Sequence, residues 1–196
     1  VRDSMGELEV DSDALFGAQT QRAVDNFPIS GIKMPETFIR ALLQAKFVAA
    51  TANKKLDQIP KKKADAICKT IKQLLNTKDL MQHFPIDVFQ TGSGTSTNMN
   101  ANEVIANLAT QKFNETILPN DHVNCGQSSN DTIPTVIHVS AAIELERELI
   151  PALTHLKETI IRKAKTLDIF IKTGRTHLMD AMPVKLSQSL EGWAEQ

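Results

Sequence analysis

The chain lacks several features that would set it apart from ordinary globular proteins. It has only two cysteines, Cys68 and Cys125, whose positions fit no metal-binding spacing and favour a reducing compartment. Its formal net charge of −1 gives neither the basic excess of a nucleic-acid-binding protein nor that of a membrane-surface protein. No apolar run approaches the roughly 20 residues that span a bilayer, and the first residues carry no signal-peptide pattern. We therefore expect neither a nucleic-acid partner nor a membrane.

What remains is the composition of a globular protein, with a hydrophobic share of 41% and a charged share of 23%. With 196 residues, the chain is long enough for one large domain or for one domain and part of another. It begins without Met and ends at residues 191–196 (EGWAEQ), inside a predicted helix that has no stop signal. We therefore expect a fragment of a longer protein.

Apolar residues recur every three or four positions through most of the chain, which predicts a mainly α fold. Helices are predicted at residues 35–56, 60–75, 101–109 and 128–167, and a further helix is predicted to begin near Pro183. The buried stripe of the first of these helices is predicted to contain Phe38, Ala41, Leu42, Ala45, Val48, Ala49 and Ala52.

The helix predicted over residues 128–167 is unusually long. At 1.5 Å per residue it would span on the order of 50 Å, more than the core of a small domain covers, and Pro151 is expected to kink it without ending it. Its apolar stripe needs partner helices, either from other subunits or within an elongated bundle of one chain. Strand patterns are scarce, and residues 1–10 are expected to form a small hairpin at most.

Three polar stretches are rich in hydroxyl and amide side chains: residues 90–100 (QTGSGTSTNMN), 127–131 (QSSND) and 174–181 (GRTHLMDA). We predict that each lies at a helix end, where glycines allow close approach and the free N–H groups of a helix start add donors. Such donors hold an anion without a lysine. Capping alone is the simpler explanation of any one stretch, but together they would line a site for a small, multiply anionic ligand. His177, beside Thr176, is the candidate proton-transfer group.

Residues 91–104 (TGSGTSTNMNANEV) resemble the first signature of class II fumarases, which belong to the fumarase/aspartase superfamily. Residues 127–131 and 174–181 resemble the second and third signatures, in the same order and at the same spacing. Residues 3–6 (DSMG) and 17–22 (GAQTQR) resemble the N-terminal segment of the family. The resemblance covers essentially the whole chain.

This resemblance implies reversible anti elimination of water from L-malate to give fumarate, a step of the tricarboxylic acid cycle, with no metal and no organic cofactor. Removing the C3 proton beside a carboxylate creates a dianionic aci-carboxylate, which prearranged uncharged donors stabilise more in the transition state than in the ground state. It also implies a homotetramer with active sites shared between subunits, and a cytoplasmic location (the mitochondrial matrix in a eukaryote). The implied domains are an N-terminal lyase domain at residues 1–127 and a truncated helical-bundle domain at residues 128–196.

By the same resemblance, His177 is the proton-transfer residue and acts through a bound water. The implied substrate-binding residues are Ser93, Gly94, Thr95, Ser128, Ser129, Asn130 and Thr176. The general base of the family is a serine on a glycine-rich loop of the pattern Gly-Ser-Ser-x-Met-Pro-Gly-Lys-x-Asn, which does not occur in these 196 residues. We therefore expect the chain alone to be inactive, and a catalytically silent piece that folds and oligomerises is a second hypothesis.

A secondary anion site of the family often reads His-Pro-Asn-Asp, and here the stretch is Leu118-Pro119-Asn120-Asp121. Leucine has no hydrogen-bond donor on its side chain. We therefore expect this secondary site to be weakened or absent.

Aspartate ammonia-lyase is a third hypothesis, because it belongs to the same superfamily. Such sequences typically have Gln in place of His177, and Gly and Ala in place of Thr91 and Ser93. All three residues here are of the fumarase type, which favours water over ammonia as the leaving group.

Overall fold

The computed structural model describes residues 1–3 and 6–196, so that Ser4 and Met5 of the N-terminal resemblance lie outside the described residues. The described chain divides into two compact units, residues 1–141 and residues 142–196.

The first unit is mainly helical and opens with a short antiparallel hairpin of β1 (Arg2–Asp3) and β2 (Gly6–Glu7), as the sequence predicts. The elements that follow are α1 (Ala18–Asn26), α2 (Glu36–Lys55), α3 (Lys61–Leu75), a 3-10 turn (Leu80–His83), α4 (Thr95–Phe113), a π-helical turn (Pro119–Val123) and the start of α5 (Ser129–Glu144).

Helix α4 lies at the centre of the first unit, with α1, α2 and α3 packed around it. Val104, Ile105 and Leu108 of this helix are all buried. The core around them is formed by apolar residues of α2, α3 and α4, among them Phe38, Ile39, Leu42, Leu43, Ile67, Ile71, Leu74, Ala101 and Ala106. Burial of this apolar surface is the main favourable contribution to the stability of the unit.

Polar residues of α4 are buried as deeply as its apolar ones, and each must therefore find a hydrogen-bond partner. The Glu103 carboxylate accepts hydrogen bonds from the backbone N–H groups of Gly17, Gln19 and Thr20 and from the Thr20 hydroxyl, at 2.6–3.1 Å. These groups include the unpaired donors at the start of α1, so Glu103 caps that helix from a distance of more than eighty residues in sequence.

The second unit begins inside α5 and combines helices with a β-hairpin. Its elements are a π-helical turn (Leu145–Leu149), α6 (Ile150–Leu167), β3 (Ile171–Thr176), β4 (Met179–Lys185) and α7 (Leu186–Glu195). Helix α7 packs against α6. Asp168, at the end of α6, accepts hydrogen bonds from Lys185 Nζ and Ser187 Oγ, both at 2.8 Å, which fixes the start of α7.

The long predicted helix is confirmed in its extent, since helical residues run from Ser129 to Leu167. Pro151 does not end it: the proline lies in the first turn of α6, directly after a π-helical turn. Many apolar residues of this segment stay half-exposed in the described chain, for example Leu149 at 47% and Leu153 at 55%.

Three local predictions are wrong. Helix α4 begins at Thr95 rather than at Ala101, because side chains of the preceding loop cap its first turn. The polar stretch at residues 174–181 lies in the β3–β4 hairpin and not at a helix end. The last helix begins at Leu186 rather than near Pro183, because the backbone there is paired within the hairpin, with Pro183 opposite Thr173.

The buried stripe predicted for α2 is partly wrong. Phe38, Ala41 and Leu42 are buried, whereas Val48 is 65% exposed. The buried face instead continues through Lys46 and Ala50.

Among the described residues, no helix is both long and apolar enough to cross a bilayer, and no three His, Cys, Asp or Glu side chains come together as a metal site.

Replacing Glu103 by Gln tests the cap of α1. Gln keeps the size of the side chain but places an NH₂ group where the carboxylate accepts donors, leaving buried N–H groups unpaired. We expect a loss of about 2–4 kcal/mol in the free energy of unfolding of the first unit, measured by urea denaturation. The exposed Glu9→Gln is the matched control and is expected to change stability by less than about 0.5 kcal/mol. Equal stability of the two variants would contradict the proposed role.

Candidate active site

The loop at residues 90–94 is held against the start of α4 by its own side chains. Gly94 has φ +69°, a left-handed conformation that favours glycine, and it stands at the N-cap of α4. Gln90 accepts the N–H of Thr97 at 2.8 Å, and Thr91 Oγ1 accepts the N–H of Ser96 at 3.2 Å. These bonds satisfy two of the free donors at the helix start. They leave the Ser93 and Thr95 hydroxyls, 2.8 Å apart, at the exposed rim of the loop.

The Asp87 carboxylate anchors the base of this loop. It accepts hydrogen bonds from the N–H and hydroxyl of Ser30 and from the N–H groups of Gly31 and Phe89, at 2.7–2.9 Å. Burial alone raises the pKa of Asp87, but these donors outweigh it and lower the pKa to about 2. The carboxylate therefore remains ionised at any pH near neutrality. Its backbone carbonyl accepts a further bond from Gln90 at 3.0 Å.

The second polar stretch meets the first within the same unit. Asn98, in the second turn of α4, donates from Nδ2 to Ser129 Oγ at 3.0 Å. A Cβ atom on Gly94 would lie 2.9 Å from Cγ2 of Ile133 in α5, so the glycine loop packs directly against the helix that Ser129 begins. Because Ser129 Oγ accepts from Asn98, its own proton is available to a ligand. The two stretches therefore meet within the first unit.

A buried lysine lies behind this junction. Lys46 of α2 has no exposed surface, and its Nζ donates to Asn124 Oδ1 and to Gln127 Oε1, both at 2.9 Å. Burial lowers the pKa of Lys46 from 10.5 to about 7. A cleft of about 180 Å³ opens beside it, lined by Ala45, Ala49, Gly126, Gln127, Ser128, Asp131, Thr132 and Thr135.

Ser128 and Asn130 are exposed where α5 begins, and the Ser128 carbonyl accepts the N–H of Thr132 at 2.9 Å. Together with Ser93, Thr95 and Ser129, they give the first unit an uncharged group of hydroxyl and amide side chains. All of them are predicted substrate-binding residues.

The other predicted residues, Thr176 and His177, lie in the second unit. His177 and Leu178 form the two-residue turn of the β3–β4 hairpin, in which Thr176 pairs with Met179. Both turn residues have positive φ, +52° and +60°, which is unfavourable for residues other than glycine and asparagine. Both side chains are exposed, so His177 is presented to solvent at the tip of the hairpin. Backbone strain of this kind is concentrated at functional sites.

The predicted secondary anion segment, Leu118 to Asp121, leads into and forms most of the π-helical turn. His122 at the end of this segment accepts the backbone N–H of Leu118 on Nδ1 at 2.8 Å, and its Nε2 lies 3.1 Å from Lys63 Nζ. Burial, reinforced by the Lys63 charge, lowers the pKa of His122. The His122 imidazole is therefore hydrogen-bonded within the turn itself.

Lys46 and Asn124 contact the residues of the predicted site, although neither was predicted from the sequence. A signal for Lys46 was present, because it lies four residues from both Leu42 and Ala50 and so falls on the buried face of α2. A lysine at such a position needs polar partners in the core.

The chain matches the protein family described as lyase over residues 6–196, and it belongs to that family. Among its relatives, "Fumarate hydratase class II 2" of Pseudomonas aeruginosa is 62% identical over 195 residues, covering 100% of this chain and 42% of the relative. "Fumarate hydratase class II" of Xylella fastidiosa is 52% identical, covering 99% of this chain and 41% of the relative.

Among solved structures, the recombinant class II fumarase of Schistosoma mansoni superposes with a TM-score of 0.93 at 39% identity, covering 100% of this chain and 42% of that chain. These matches confirm the mainly α fold that the sequence predicts. They also confirm the resemblance of the chain to class II fumarases of the fumarase/aspartase superfamily. The chain spans less than half the length of the relatives that it matches.

Replacing Gly94 by Ala tests the contact between the glycine loop and α5. An alanine at positive φ is strained, and its Cβ would clash with Ile133. We expect a loss of about 2–3 kcal/mol in the free energy of unfolding. Gly92→Ala is the matched control, since a Cβ there meets nothing within 4 Å, and it should leave stability nearly unchanged. A tolerated Gly94→Ala in thermal unfolding experiments would refute the close contact.

Proposed function

We propose that the protein containing this chain catalyses the reversible hydration of fumarate to L-malate. The observation that carries this proposal is the similarity over the whole chain to relatives named class II fumarate hydratase, at 62% and 52% identity. The group of uncharged donors in the first unit supports the same chemistry, because a four-carbon dicarboxylate needs several hydrogen-bond donors converging on it.

In the proposed mechanism, a base removes the C3 proton of L-malate, and the negative charge spreads onto the neighbouring carboxylate, which becomes a dianionic aci-carboxylate. The C2–O bond then breaks as the leaving hydroxyl takes up a proton, water departs, and the electron pair forms the C2=C3 double bond of fumarate. Hydroxyl and amide donors of Ser93, Thr95, Ser128, Ser129 and Asn130 bind the substrate carboxylates. Donors already in position stabilise the dianionic aci-carboxylate group more than the singly charged carboxylate of the ground state, because they need not reorganise as charge develops. Gly94 allows the backbone to approach the ligand closely, and no metal or organic cofactor takes part.

His177 is proposed to move a proton through a bound water, with Thr176 contacting the substrate. The exposed position of His177 on a strained two-residue turn supports this role, since its imidazole is accessible to a substrate outside the hairpin. The base itself is proposed to come from a glycine-rich loop that is not part of these 196 residues. The chain alone is therefore proposed to be inactive.

The proposal includes a homotetramer with shared active sites. In it, residues 128–196 of each subunit belong to a common helical bundle. The half-exposed apolar residues of the long helical segment support it, because helices from other subunits would cover them: Leu145, Leu149, Ile150, Leu153 and Leu156. The secondary anion site is proposed to be weakened, since Leu118 supplies only a backbone N–H there, and His122 already accepts it.

Comparing L-malate with L-aspartate tests the reaction itself. In the full-length protein we expect malate to give fumarate, followed by the ultraviolet absorbance of the new double bond, and aspartate to release little ammonia. Thr91, Ser93 and His177 are the residues that favour water as the leaving group. Faster turnover of aspartate would instead establish the ammonia-lyase. Robust malate turnover by the 196-residue chain alone would contradict the proposed source of the base.

Replacing His177 by Asn tests the proton-transfer role. Asparagine tolerates positive φ better than most residues, so the turn should keep its conformation while the titratable imidazole is lost. We expect kcat to fall by about 10²–10⁴-fold, the usual contribution of a general acid or base. His155→Asn, an exposed histidine of α6, is the matched control. Unchanged turnover in His177→Asn, with the control also unchanged, would make His177 a structural residue.

A further inference from the structure

The buried lysine has a consequence for the direction of the hydrogen bonds in the site. An amide group can turn its oxygen or its NH₂ toward a neighbour, but lysine can only donate. Lys46 lies 2.9 Å from the side-chain oxygens of both Asn124 and Gln127, so both amides must present oxygen to it. This holds for the ammonium, which has no lone pair, whereas a neutral amine can also accept one hydrogen bond. The backbone fixes the same orientation, because Asn124 Nδ2 donates to the Gln127 carbonyl at 3.0 Å and Gln127 Nε2 donates to the Val123 carbonyl at 2.8 Å.

Asn124 passes this constraint on to Asn98. With its Oδ1 held by Lys46, the same oxygen lies 3.1 Å from Asn98, which must then present Nδ2. The second hydrogen of that Nδ2 is donated to Ser129 Oγ at 3.0 Å. Turning Asn98 over would place two amide oxygens against each other.

The cost of this arrangement is visible at Asn98 itself. Its Oδ1 is fully buried and has no hydrogen-bond partner among the described residues. An unpaired buried acceptor costs about 1–3 kcal/mol. The orientation that Lys46 and the Gln127 carbonyl hold is the one that leaves the Ser129 proton unused within the unit.

We propose that Lys46 is a positioning residue for the anion site: with the Gln127 carbonyl it fixes the Asn124 amide, and through Asn124 and Asn98 it holds Ser129 as an acceptor from the protein, so that Ser129 donates its hydroxyl proton to a carboxylate of the ligand. This inference rests on the proposed function, since the ligand is the dicarboxylate that Ser129 binds there. Lys46 touches no substrate. It supplies the first of three hydrogen bonds that lead to Ser129, the residue that donates to the ligand.

The test compares Lys46→Met with Lys55→Met in the full-length protein, two lysines of the same helix of which only the first is buried. A hydroxyl that no longer points its proton at a bound carboxylate loses one charge-assisted hydrogen bond, so we expect KM for L-malate to rise about tenfold. We expect kcat to change by less than about threefold, because the bond is made to substrate and transition state alike. Lys46→Arg supplies donors to both amides and should restore most of the KM.

A purely structural lysine would lower the unfolding temperature of Lys46→Met without changing KM at temperatures where the variant is folded. That result would overturn the proposal. If Lys46→Met does not fold, Asn98→Asp takes its place, because a carboxylate at Asn98 has no hydrogen and must accept the Ser129 proton. An unchanged KM in Asn98→Asp would also overturn it.

The chain of hydrogen bonds from Lys46 through Asn124 and Asn98 to Ser129, called the relay below, can be checked without measuring activity, in the 196-residue chain. The side-chain NH₂ of Asn98 should give two slowly exchanging proton signals in a nitrogen-15 NMR spectrum, and Lys46→Met should lose them. If the wild-type protein turns over no malate but the signals behave in this way, the proposed function fails and the relay stands. If Lys46→Met keeps both signals, the relay is wrong whatever the activity.

Discussion

Several polar side chains buried along α4 are hydrogen-bonded to the segments packed around the helix, and the arrangement of the first unit depends on these contacts. Apolar packing around the helix supplies cohesion, but it tolerates small shifts. The polar contacts do not. Glu103 fixes the start of α1, Asn100 donates to the carbonyl of His83, and Asn98 holds Ser129. Each surrounding segment is thus attached to the central helix at one defined point, and the residues of the site take their positions from these attachments.

The residues proposed to bind the ligand in the first unit carry no formal charge. They are hydroxyls and amides around the glycine loop and the start of α5, whereas the carboxylate of Asp87 and the amine of Lys46 lie behind them. One carboxylate, that of Asp131, is exposed in the first turn of α5. Fixed dipoles in such an arrangement respond to charge that appears during a reaction without binding the starting dianion too tightly. The charged groups, Asp87 and Lys46, orient the neighbouring polar side chains. Burial and strong hydrogen bonds keep these charged groups in place.

Much of the helical fold could be predicted from the sequence, because apolar spacing marks a helix wherever one face is buried. The length of the segment from Ser129 to Leu167 is an example. The β3–β4 hairpin could not be predicted, because its residues are mostly exposed and show no alternating pattern, and its turn uses His177 and Leu178 rather than Asn-Gly. The three polar stretches were predicted from local composition and the individual donors within them from the family resemblance, and these site residues stay predictions. Lys46 was not predicted, since its partners lie about eighty residues away in sequence.

The contact between α1 and Glu103 also bears on the order in which the chain becomes structured during synthesis. Gly17 is bonded to a residue 86 positions later, and the carbonyl of Leu15 to Asn107, 92 positions later. A ribosome releases these partners long after the first twenty residues have emerged. The donors at the start of α1 therefore lack Glu103 as a partner until α4 has left the exit tunnel, and the closure of this long loop is a late step.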